Sequence, residues 1–219
     1  MIRIGIVDDK ANNRQVIREK LSRHPAFACV LEAVNGEDFL EKVKAANEEG
    51  LPNVVLMDLE MPQVDGVTAI ATASSLYPDM RFVVLTIFDD DDKVFRAIRA
   101  GACGYLLKEE SSETLADLIL HLWESGAGPI SPSIAYKILQ MVQQPDNRNE
   151  KDSANIFQLS DREREILLRL SEGYDYKEIA AQLFISPNTV KKHTGSIYQK
   201  LHVNSKAQAL RIAYTRGLI

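Results

Sequence analysis

Five polar residues stand at the ends of four short apolar runs. Asp8 and Asp9 follow "IGIV", Asp58 follows "VVLM", Thr86 ends "FVVLT", and Lys108 follows "YLL". Apolar runs of this length are typical of strands buried on both faces. A carboxylate at the end of such a strand is costly to desolvate unless it is paired, hydrogen-bonded or bound to a metal. What these five groups can do therefore depends on whether the fold brings them together.

If the five side chains converge, they form a site for a cation and a phosphoryl group. Three clustered carboxylates repel one another unless a hard divalent cation lies among them, and oxygen ligands with room for water suit Mg²⁺. Thr86 and Lys108 are then available for the phosphate oxygens that the metal leaves free. Each residue alone has an ordinary explanation, since an Asp after a strand is usually a helix N-cap or a turn residue. The prediction of a site rests on all five residues together.

Residues 1–125 alternate strand-length apolar runs with segments of helical period. The predicted strands are 2–7, 28–34, 54–57, 81–86 and 104–107, and the predicted helices are 11–24, 36–48, 65–76, 91–100 and 111–125. Such alternation predicts right-handed βαβ units around a parallel sheet. The expected fold class is α/β, with a flavodoxin-like, doubly wound sheet of five parallel strands in the order 2-1-3-4-5.

This strand order predicts that the polar residues meet. Strands 1, 3, 4 and 5 are neighbours in it, and strand 2, which contributes no polar group of this kind, is an edge. Ligands of open α/β sheets bind at the carboxyl ends of the strands, near the point where the strand order reverses. The carboxylates, the hydroxyl and the ammonium are therefore expected in one cleft.

The composition changes after residue 125. "GAGPISP" breaks the last helix, 133–142 is predicted as a short amphipathic helix, and 143–155 has no large apolar residue and is predicted as a flexible linker. From Gln158 onward the periodicity is helical. The expected organisation is an α/β domain at 1–125, a short helix and linker at 126–157, and a separate all-α domain at 158–219.

The charge of the chain is divided between its two ends. Residues 1–128 hold 13 Lys and Arg against 22 Asp and Glu, whereas residues 160–219 hold 10 against 6. The front region therefore carries a net charge of −9 and the back region +4, within a total of −5. This asymmetry suggests different partners for the two regions and makes nucleic acid a candidate partner of the basic one.

The basic charge of the C-terminal region is concentrated on one predicted helix. Its capping sequence is Ser186 followed by Pro187, and Val190, Ile197 and Leu201 form its apolar face. The opposite face is left to Lys191, Lys192, Thr194 and Gly195, and the helix has three Lys and no acidic residue. Such a face is either simply solvated or belongs to a recognition helix in the major groove of DNA.

Cysteine usage and hydropathy indicate the compartment. Cys29 and Cys103 lie in apolar segments without paired spacing, so we expect buried thiols in a reducing cytosol. The N-terminus has no signal-peptide architecture, and no apolar run approaches the roughly 18 residues of a membrane span. The sequence therefore predicts a soluble cytoplasmic protein without a membrane partner.

Residues 2–125 closely resemble the receiver domain of two-component response regulators. The residues that carry the resemblance are Asp8, Asp9, Asp58 followed by "MPQVDG", Thr86, Tyr105 and Lys108. The resemblance implies that Asp58 accepts a phosphoryl group from a phosphohistidine of a sensor histidine kinase, with Thr86 and Lys108 assisting. It also implies that Mg²⁺ binds to Asp9, Asp58 and the backbone carbonyl of Glu60, with Asp8 acting through water, and that Thr86 and Tyr105 form the switch.

The sequence departs from the receiver pattern at two positions. Lys10 stands where a His is frequent in this subgroup, and Glu109 follows Lys108 where many receivers have Pro. Neither change removes a reacting group. A degenerate receiver that works without phosphorylation remains an alternative.

Residues 160–217 closely resemble the LuxR-type helix-turn-helix, through "LSDREREIL", "KEIAAQLFISPNTVKKH" and "IYQKL". A receiver joined to this module is typical of the NarL/FixJ family of transcriptional regulators. The resemblance implies base contacts in double-stranded DNA from Lys191, Lys192 and Gly195. It implies phosphate contacts from Ser186, Thr189 and His193.

A homodimer that forms on phosphorylation and reads two half-sites is the expected working state. The last predicted helix, 205–216, has Ala209, Leu210 and Ala213 on a face small enough to pack against its own copy. The chain is predicted not to be an enzyme beyond catalysis of its own phosphorylation and dephosphorylation.

Two other classes of function remain possible from the sequence. One is a phosphatase or phosphotransferase that turns over through an aspartyl-phosphate, because Asp58-Leu59-Glu60 superficially resembles the acidic motif of such enzymes. Those enzymes place the nucleophile after the first strand and carry a second Asp where Glu60 stands. The other is a regulator that works through protein partners alone.

Overall fold

The computed structural model describes residues 1–86, 91–126, 128, 130, 139 and 156–219, with only the backbone at 91 and 92. The chain forms two compact units, Met1–Asn147 and Arg148–Ile219. The predicted helix at 133–142 and the predicted linker at 143–155 lie outside the described residues, apart from Leu139, which is helical. The boundaries expected at 125 and 157 stay predictions.

The first unit contains a five-stranded parallel sheet in the order β2-β1-β3-β4-β5, as predicted. Its strands are β1 Ile2–Val7, β2 Phe27–Ala33, β3 Val54–Met57, β4 Arg81–Thr86 and β5 Ala102–Leu107. All four residues of the central strand β3 are buried, which agrees with its unbroken apolar sequence. The predicted α/β fold class is therefore confirmed.

Helices cover both faces of this sheet. They are α1 Ala11–Ser22, α2 Gly36–Ala45, α3 Gly66–Leu76, α4 Asp91–Ala100 and α5 Ser112–Ser125. Helices α1 and α5 pack together, α2 packs on α3, and α3 packs on α4. Buried side chains of β1, β3, α1 and α5 form one core cluster, which includes Ile4, Leu56, Ile17 and Ile119. This packing fixes the carboxyl ends of the strands relative to one another.

Four elements, β1, β3, β4 and α4, have the predicted ends, and the other six differ from the prediction by one to three residues at one or both ends. Strand β5 begins at Ala102, two residues before the prediction, because Ala102 pairs with Phe82 ahead of a register shift. Helix α1 ends at Ser22 because Pro25 follows closely and disfavours helical geometry at the residue before it. Neither difference moves a predicted site residue.

The prediction of buried thiols is wrong for Cys29. Cys29 is exposed and Cys103 is half-buried, and both are free. Cys29 lies on β2, whose central residues Cys29 and Val30 are both exposed because β2 is an edge strand. An apolar segment on an edge strand is covered less fully than one in the middle of a sheet. The predicted strand order already placed strand 2 at an edge, but the thiol prediction rested on the apolar pattern of the segment alone.

The second unit is all-α, as predicted. Its helices are α6 Asp161–Ser171, α7 Tyr176–Gln182, α8 Pro187–Lys200 and α9 Lys206–Thr215. Each has a side-chain N-cap, and Ser160 with Glu163 forms the predicted capping box. Ile166, Leu167, Ile179 and Ile197 are completely buried between the helices. None of the helices in the described residues is long and apolar enough to cross a membrane.

The prediction that the small residues of the last helix pack against a second copy of that helix is wrong. Ala209 and Ala213 are buried inside the unit, together with Ile212. Helix α9 packs on α6, so its small residues already have an intramolecular partner. The outward face of α9 instead carries Lys206, Arg211 and Tyr214, and Tyr214 is 63% exposed.

Candidate functional site

The three carboxylates singled out in the sequence form one cluster. Asp8, Asp9 and Asp58 each offer an oxygen within 4.8 Å of the others. Asp8 and Asp58 are buried and Asp9 is exposed, so the cluster opens to solvent on one side. Its position follows from the sheet, because β1 and β3 are adjacent and Asp58 donates its backbone N–H to Val7 across 2.8 Å.

Lys108 completes the cluster from the far side of β4. Its Nζ lies 2.7 Å from Asp8 Oδ2 and 2.8 Å from Asp58 Oδ2. The other oxygen of Asp58, Oδ1, accepts the backbone N–H of Leu59 at 2.9 Å. The Asp58 carboxylate is therefore held in a fixed orientation from both sides.

The charges of this cluster do not balance. Burial raises the pKa of Asp58, and Asp8 raises it further, against the opposing effect of Lys108. Burial tends to lower the pKa of Lys108, but hydrogen bonds and attraction to Asp58 and Asp8 outweigh it and raise the pKa. Three carboxylates face one ammonium, so a divalent cation bound there would supply the charge that the protein lacks. The donor set consists of oxygens alone, which fits Mg²⁺.

The first turn of α1 holds the acidic pair in place. Asn13 donates its amide to both carboxylate oxygens of Asp8 at 3.1 Å, and the Lys10 N–H donates to Asp8 Oδ1 at 2.9 Å. Arg14 donates through Nη1 to the backbone oxygen of Asp8 at 2.8 Å. We did not predict Asn13 or Arg14 as site residues. The feature of the sequence that could have indicated them is an amide and a guanidinium about one helical turn after the acidic pair.

The two predicted switch residues lie on neighbouring strands. Thr86 is half-buried at the end of β4, between the strands that carry Asp58 and Lys108, and its backbone oxygen accepts the Lys108 N–H at 2.9 Å. Tyr105 is 4% exposed and pairs with Val84 of β4. Their roles in switching stay a prediction.

Glu60 does not contribute its carboxylate to the acidic cluster. The side chain is 66% exposed and forms an ion pair with Lys93 of α4. In the phosphatase-like alternative, Glu60 stands in the place of the second acidic residue of the motif. The ion pair between Glu60 and Lys93 makes that role less favourable. The metal role of the Glu60 backbone carbonyl stays a prediction.

A glycine allows the loop after Asp58 to fold back on itself. A Cβ at Gly66 would lie 2.1 Å from the backbone oxygen of Asp58. Gly66 also donates its N–H to Leu59 at 3.1 Å, and Asp65 caps α3 by accepting the N–H of Thr68. The loop with the sequence "MPQVDG" therefore packs closely against the backbone of Asp58.

The second candidate surface is the exposed face of α8. Lys191, Lys192 and Gly195 are exposed and His193 is half-buried. Thr194, which we expected on this face, is buried at 2% exposure and donates its hydroxyl to the Val190 oxygen at 2.9 Å. The expectation was wrong because residue 194 lies one turn after Val190 and therefore on the core side.

The N-terminus of α8 is capped as predicted. Ser186 Oγ accepts the Thr189 N–H at 3.1 Å and lies 2.8 Å from Thr189 Oγ1. Both hydroxyls stand at the positive end of the helix dipole, where phosphate oxygens bind readily. The DNA contacts predicted for Ser186 and Thr189 stay predictions. So do those predicted for Lys191, Lys192, Gly195 and His193.

An ion pair between half-buried Lys200 and buried Glu163 anchors the opposite end of α8, and we did not predict it. Glu163 is 4% exposed and accepts Lys200 Nζ at 2.7 Å and Ser196 Oγ at 2.5 Å. It also accepts the Ser160 N–H at 2.8 Å. Although burial opposes it, these hydrogen bonds lower the pKa of Glu163 to about 2. One of the three lysines of this helix is therefore structural, and only Lys191 and Lys192 remain for an outside partner.

Comparisons with known proteins match one family model in each of the two units. Residues 4–120 match the model of the response regulator receiver domain, and residues 157–213 match the model of bacterial regulatory proteins of the luxR family. The chain is 34% identical over 229 residues to the transcriptional regulatory protein DegU of Brevibacillus brevis, covering 100% of this chain and 95% of that protein. It is 36% identical over 220 residues to the transcriptional regulatory protein LiaR of Bacillus subtilis (strain 168), covering 100% of both.

A solved structure supports the same relationship. The response regulator ChrA of a heme-sensing two-component system shares 32% identity and a TM-score of 0.51, over 100% of this chain and 98% of that one. The two family models follow each other along the chain in the order of the two units. The chain therefore belongs to the NarL/FixJ family of two-component response regulators, which join a receiver domain to a LuxR-type helix-turn-helix.

Proposed function

We propose that this response regulator is switched by phosphorylation of Asp58 and that the switch controls sequence-specific binding to double-stranded DNA. The observation that carries the proposal is the carboxylate of Asp58, held 2.8 Å from the Lys108 ammonium beside Asp8 and Asp9. A nucleophile, a cation and an unbalanced acidic pocket in one cleft suit phosphoryl transfer, in which positioning and charge neutralisation dominate.

The phosphoryl donor is a phosphohistidine of a sensor histidine kinase. An oxygen of Asp58 attacks the phosphorus, the bond from phosphorus to the imidazole nitrogen breaks, and its electron pair stays on that nitrogen. The product is an acyl phosphate on Asp58. Lys108 pairs with the negative charge of the transferred group, and the Thr86 hydroxyl donates a hydrogen bond to it.

Mg²⁺ is the cofactor of this reaction. Asp9, Asp58 and the backbone carbonyl of Glu60 hold it, and Asp8 acts through water. When bound, the metal neutralises charge on the carboxylates and on the incoming phosphoryl group. Asn13 and the Lys10 N–H keep Asp8 oriented for this task, because they occupy its oxygens on the side of α1.

The DNA-binding surface is the exposed face of α8. Lys191, Lys192 and Gly195 contact base edges in the major groove, and Ser186, Thr189 and His193 contact phosphates. Two facts support this assignment. Lys191 and Lys192 are exposed, and the ion pair of Lys200 with buried Glu163 ties the helix that presents them to α6.

Phosphorylation acts through Thr86 and Tyr105 and promotes a homodimer that binds two half-sites. The added phosphoryl oxygens draw the Thr86 hydroxyl inward, which vacates space beside β4 for the ring of Tyr105, a buried residue of the neighbouring strand. Pairing of two receivers raises the effective concentration of two helix-turn-helix units at one operator.

Intact-mass spectrometry tests the central step. Incubation with acetyl phosphate and Mg²⁺ is expected to add one phosphoryl group to the unsubstituted chain and none to Asp58→Asn. The control is Asp79→Asn, which removes an exposed carboxylate of the same unit and is expected to leave phosphorylation unchanged. A mass gain retained by Asp58→Asn would place the acceptor at another residue.

A further inference from the structure

Lys20, in the last turn of α1, reaches across to the loop that carries Lys108. Its Nζ donates to the backbone oxygen of Lys108 at 3.2 Å and to that of Glu110 at 2.6 Å. In return, Ser112 donates its hydroxyl to the backbone oxygen of Lys20 at 2.7 Å. Three hydrogen bonds therefore tie the end of α1 to the start of α5.

The loop needs this support because Lys108 is the last residue held directly by the sheet. The Lys108 N–H donates to Thr86 at 2.9 Å, and beyond Lys108 the chain turns away, with the Glu110 N–H donating to Leu107 at 3.2 Å. Glu109 stands in this turn, so no proline ring restricts the backbone there. The two carbonyl oxygens on either side of Glu109 are both held by the Lys20 ammonium.

The position of the Lys108 ammonium depends on this backbone. Lys has a flexible four-carbon side chain, and its Nζ must stay within hydrogen-bond distance of both Asp8 and Asp58. A displacement of the Lys108 backbone shifts the ammonium away from the oxygens of the transferred group. Misplacement of a reacting group by about 1 Å costs on the order of 100-fold in rate.

We propose that Lys20 is a positioning residue that clamps the Lys108 carbonyl and so aims the Lys108 ammonium at the phosphoryl group on Asp58. This inference rests on the function proposed above for Asp58. The clamp acts on the loop and not on the helix packing, because α1 and α5 are also joined by the buried side chains Ile17, Leu21 and Ile119. Lys20 itself is only half-buried, so its removal leaves that apolar contact in place.

The test compares phosphorylation rates of the full chain with acetyl phosphate and Mg²⁺, followed by intact mass. Lys20→Met, which keeps the unbranched apolar stem of the side chain and removes its donors, is expected to slow phosphorylation by about tenfold. Lys20→Arg retains donors for both carbonyls and is expected to restore most of the rate. The control Lys44→Met removes an exposed lysine of α2 and is expected to leave the rate unchanged.

A double-variant comparison separates positioning of Lys108 from a general structural effect. If Lys20 acts through Lys108, Lys20→Met has no further effect on phosphorylation of a Lys108→Ala chain. An equal slowing in both backgrounds overturns the proposal, and so does an unchanged rate in Lys20→Met alone.

Calorimetry gives a readout that does not depend on turnover. Lys20→Met is expected to weaken beryllofluoride binding in the presence of Mg²⁺ by about tenfold and to leave the affinity for Mg²⁺ alone unchanged, because carboxylates hold the metal. Equal weakening of both indicates a distorted site and contradicts the clamp. If the unsubstituted chain takes no phosphoryl group on Asp58, the proposed function fails together with the clamp. If it does and Lys20→Met is unaffected, only the clamp fails.

Discussion

The ammonium of Lys108 lies 2.8 Å from the carboxylate of Asp58, although the two residues follow strands that are separated in the sheet by β4. The same ammonium lies 2.7 Å from Asp8, which follows a third strand. One cation thus links the ends of β1, β3 and β5. The single ammonium cannot neutralise all of the negative charge in the pocket. The remaining repulsion between the carboxylates opposes folding and favours the binding of a cation.

Asp58→Asn is expected to stabilise the receiver unit at pH 7 in the absence of Mg²⁺. Burial raises the pKa of Asp58 above its ordinary value of 3.8, so the folded chain binds this proton more tightly than the unfolded chain. The free energy of unfolding contributed by Asp58 therefore falls as the pH rises from 3.8 through the folded pKa. Asn removes that loss, while Lys108 keeps Asp8 as its partner.

Urea unfolding followed by fluorescence of Trp123, the one tryptophan of the chain, measures this effect in the receiver unit. The stability difference between Asp58→Asn and the unsubstituted chain is expected to shrink as the pH is lowered toward 4. Mg²⁺ at 100 times its Kd is expected to stabilise the unsubstituted chain by about 2.7 kcal/mol and the variant by much less. A variant that is less stable than the unsubstituted chain at pH 7 would contradict the prediction.

Glu163→Gln is expected to loosen the helix-turn-helix unit. The pKa of Glu163 is lowered from 4.5 to about 2, so its ionised form stabilises the folded state. This contribution is complete above pH 4.5 and is lost as the pH falls through about 2. Removing the charge at pH 7 leaves Lys200 with the Gln158 carbonyl at 2.9 Å but without its ionic partner, and is expected to cost about 2 to 3 kcal/mol.

Hydrogen exchange of the α8 backbone amides measures the loss directly. The matched control is Glu165→Gln, which breaks a more exposed ion pair between Glu165 and Arg162 within α6, where about 0.5 kcal/mol or less is expected. Equal exchange rates in Glu163→Gln and Glu165→Gln would show that the pair of Glu163 with Lys200 does not hold α8.

Lys191→Ala and Lys192→Ala are each expected to weaken binding to a specific operator by about 1 to 3 kcal/mol. An operator obtained by selection with the phosphorylated chain provides the target, and a scrambled duplex provides the comparison. Loss confined to the operator indicates a base contact, whereas equal loss on both duplexes with a shallower salt dependence indicates a phosphate contact. Unchanged operator binding by the double variant would show that the DNA-binding surface does not lie on α8.

The sequence predicted those parts of the sites that depend on strand order alone. Asp8, Asp58 and Lys108 end buried strands, and the parallel βαβ pattern is sufficient to bring strand ends together. The supporting residues were not predictable in this way, because the contacts of Asn13, Lys20 and Lys200 depend on how long side chains cross between elements. The three residues look like ordinary surface polar residues in the sequence.

The two corrections in the DNA-binding unit have a related cause. Thr194 and the small residues of α9 were assigned to outward faces by residue type, whereas helix geometry places them on the core side. Polar or small residues occupy such positions when they find an internal partner, as Thr194 does in the Val190 carbonyl. Residue type alone does not reveal that partner.

Phosphorylation is expected to tighten binding to a two-half-site operator far more than binding to a single half-site. In the proposed function its effect passes through Thr86, at the end of β4, to Tyr105 on the next strand, and then to the pairing of two receivers. Pairing raises the effective concentration of the second helix-turn-helix, which benefits only an operator with two half-sites.

Beryllofluoride with Mg²⁺ serves as the stable mimic of phosphorylation, and fluorescence anisotropy with the two duplexes gives the affinities. Thr86→Ala is expected to take up a phosphoryl group on Asp58 but to lose the gain on the paired site. If the unphosphorylated chain and the fragment 156–219 both bind the paired site as tightly as the phosphorylated chain, the receiver does not act on DNA affinity, and the switch assigned to Thr86 and Tyr105 is wrong.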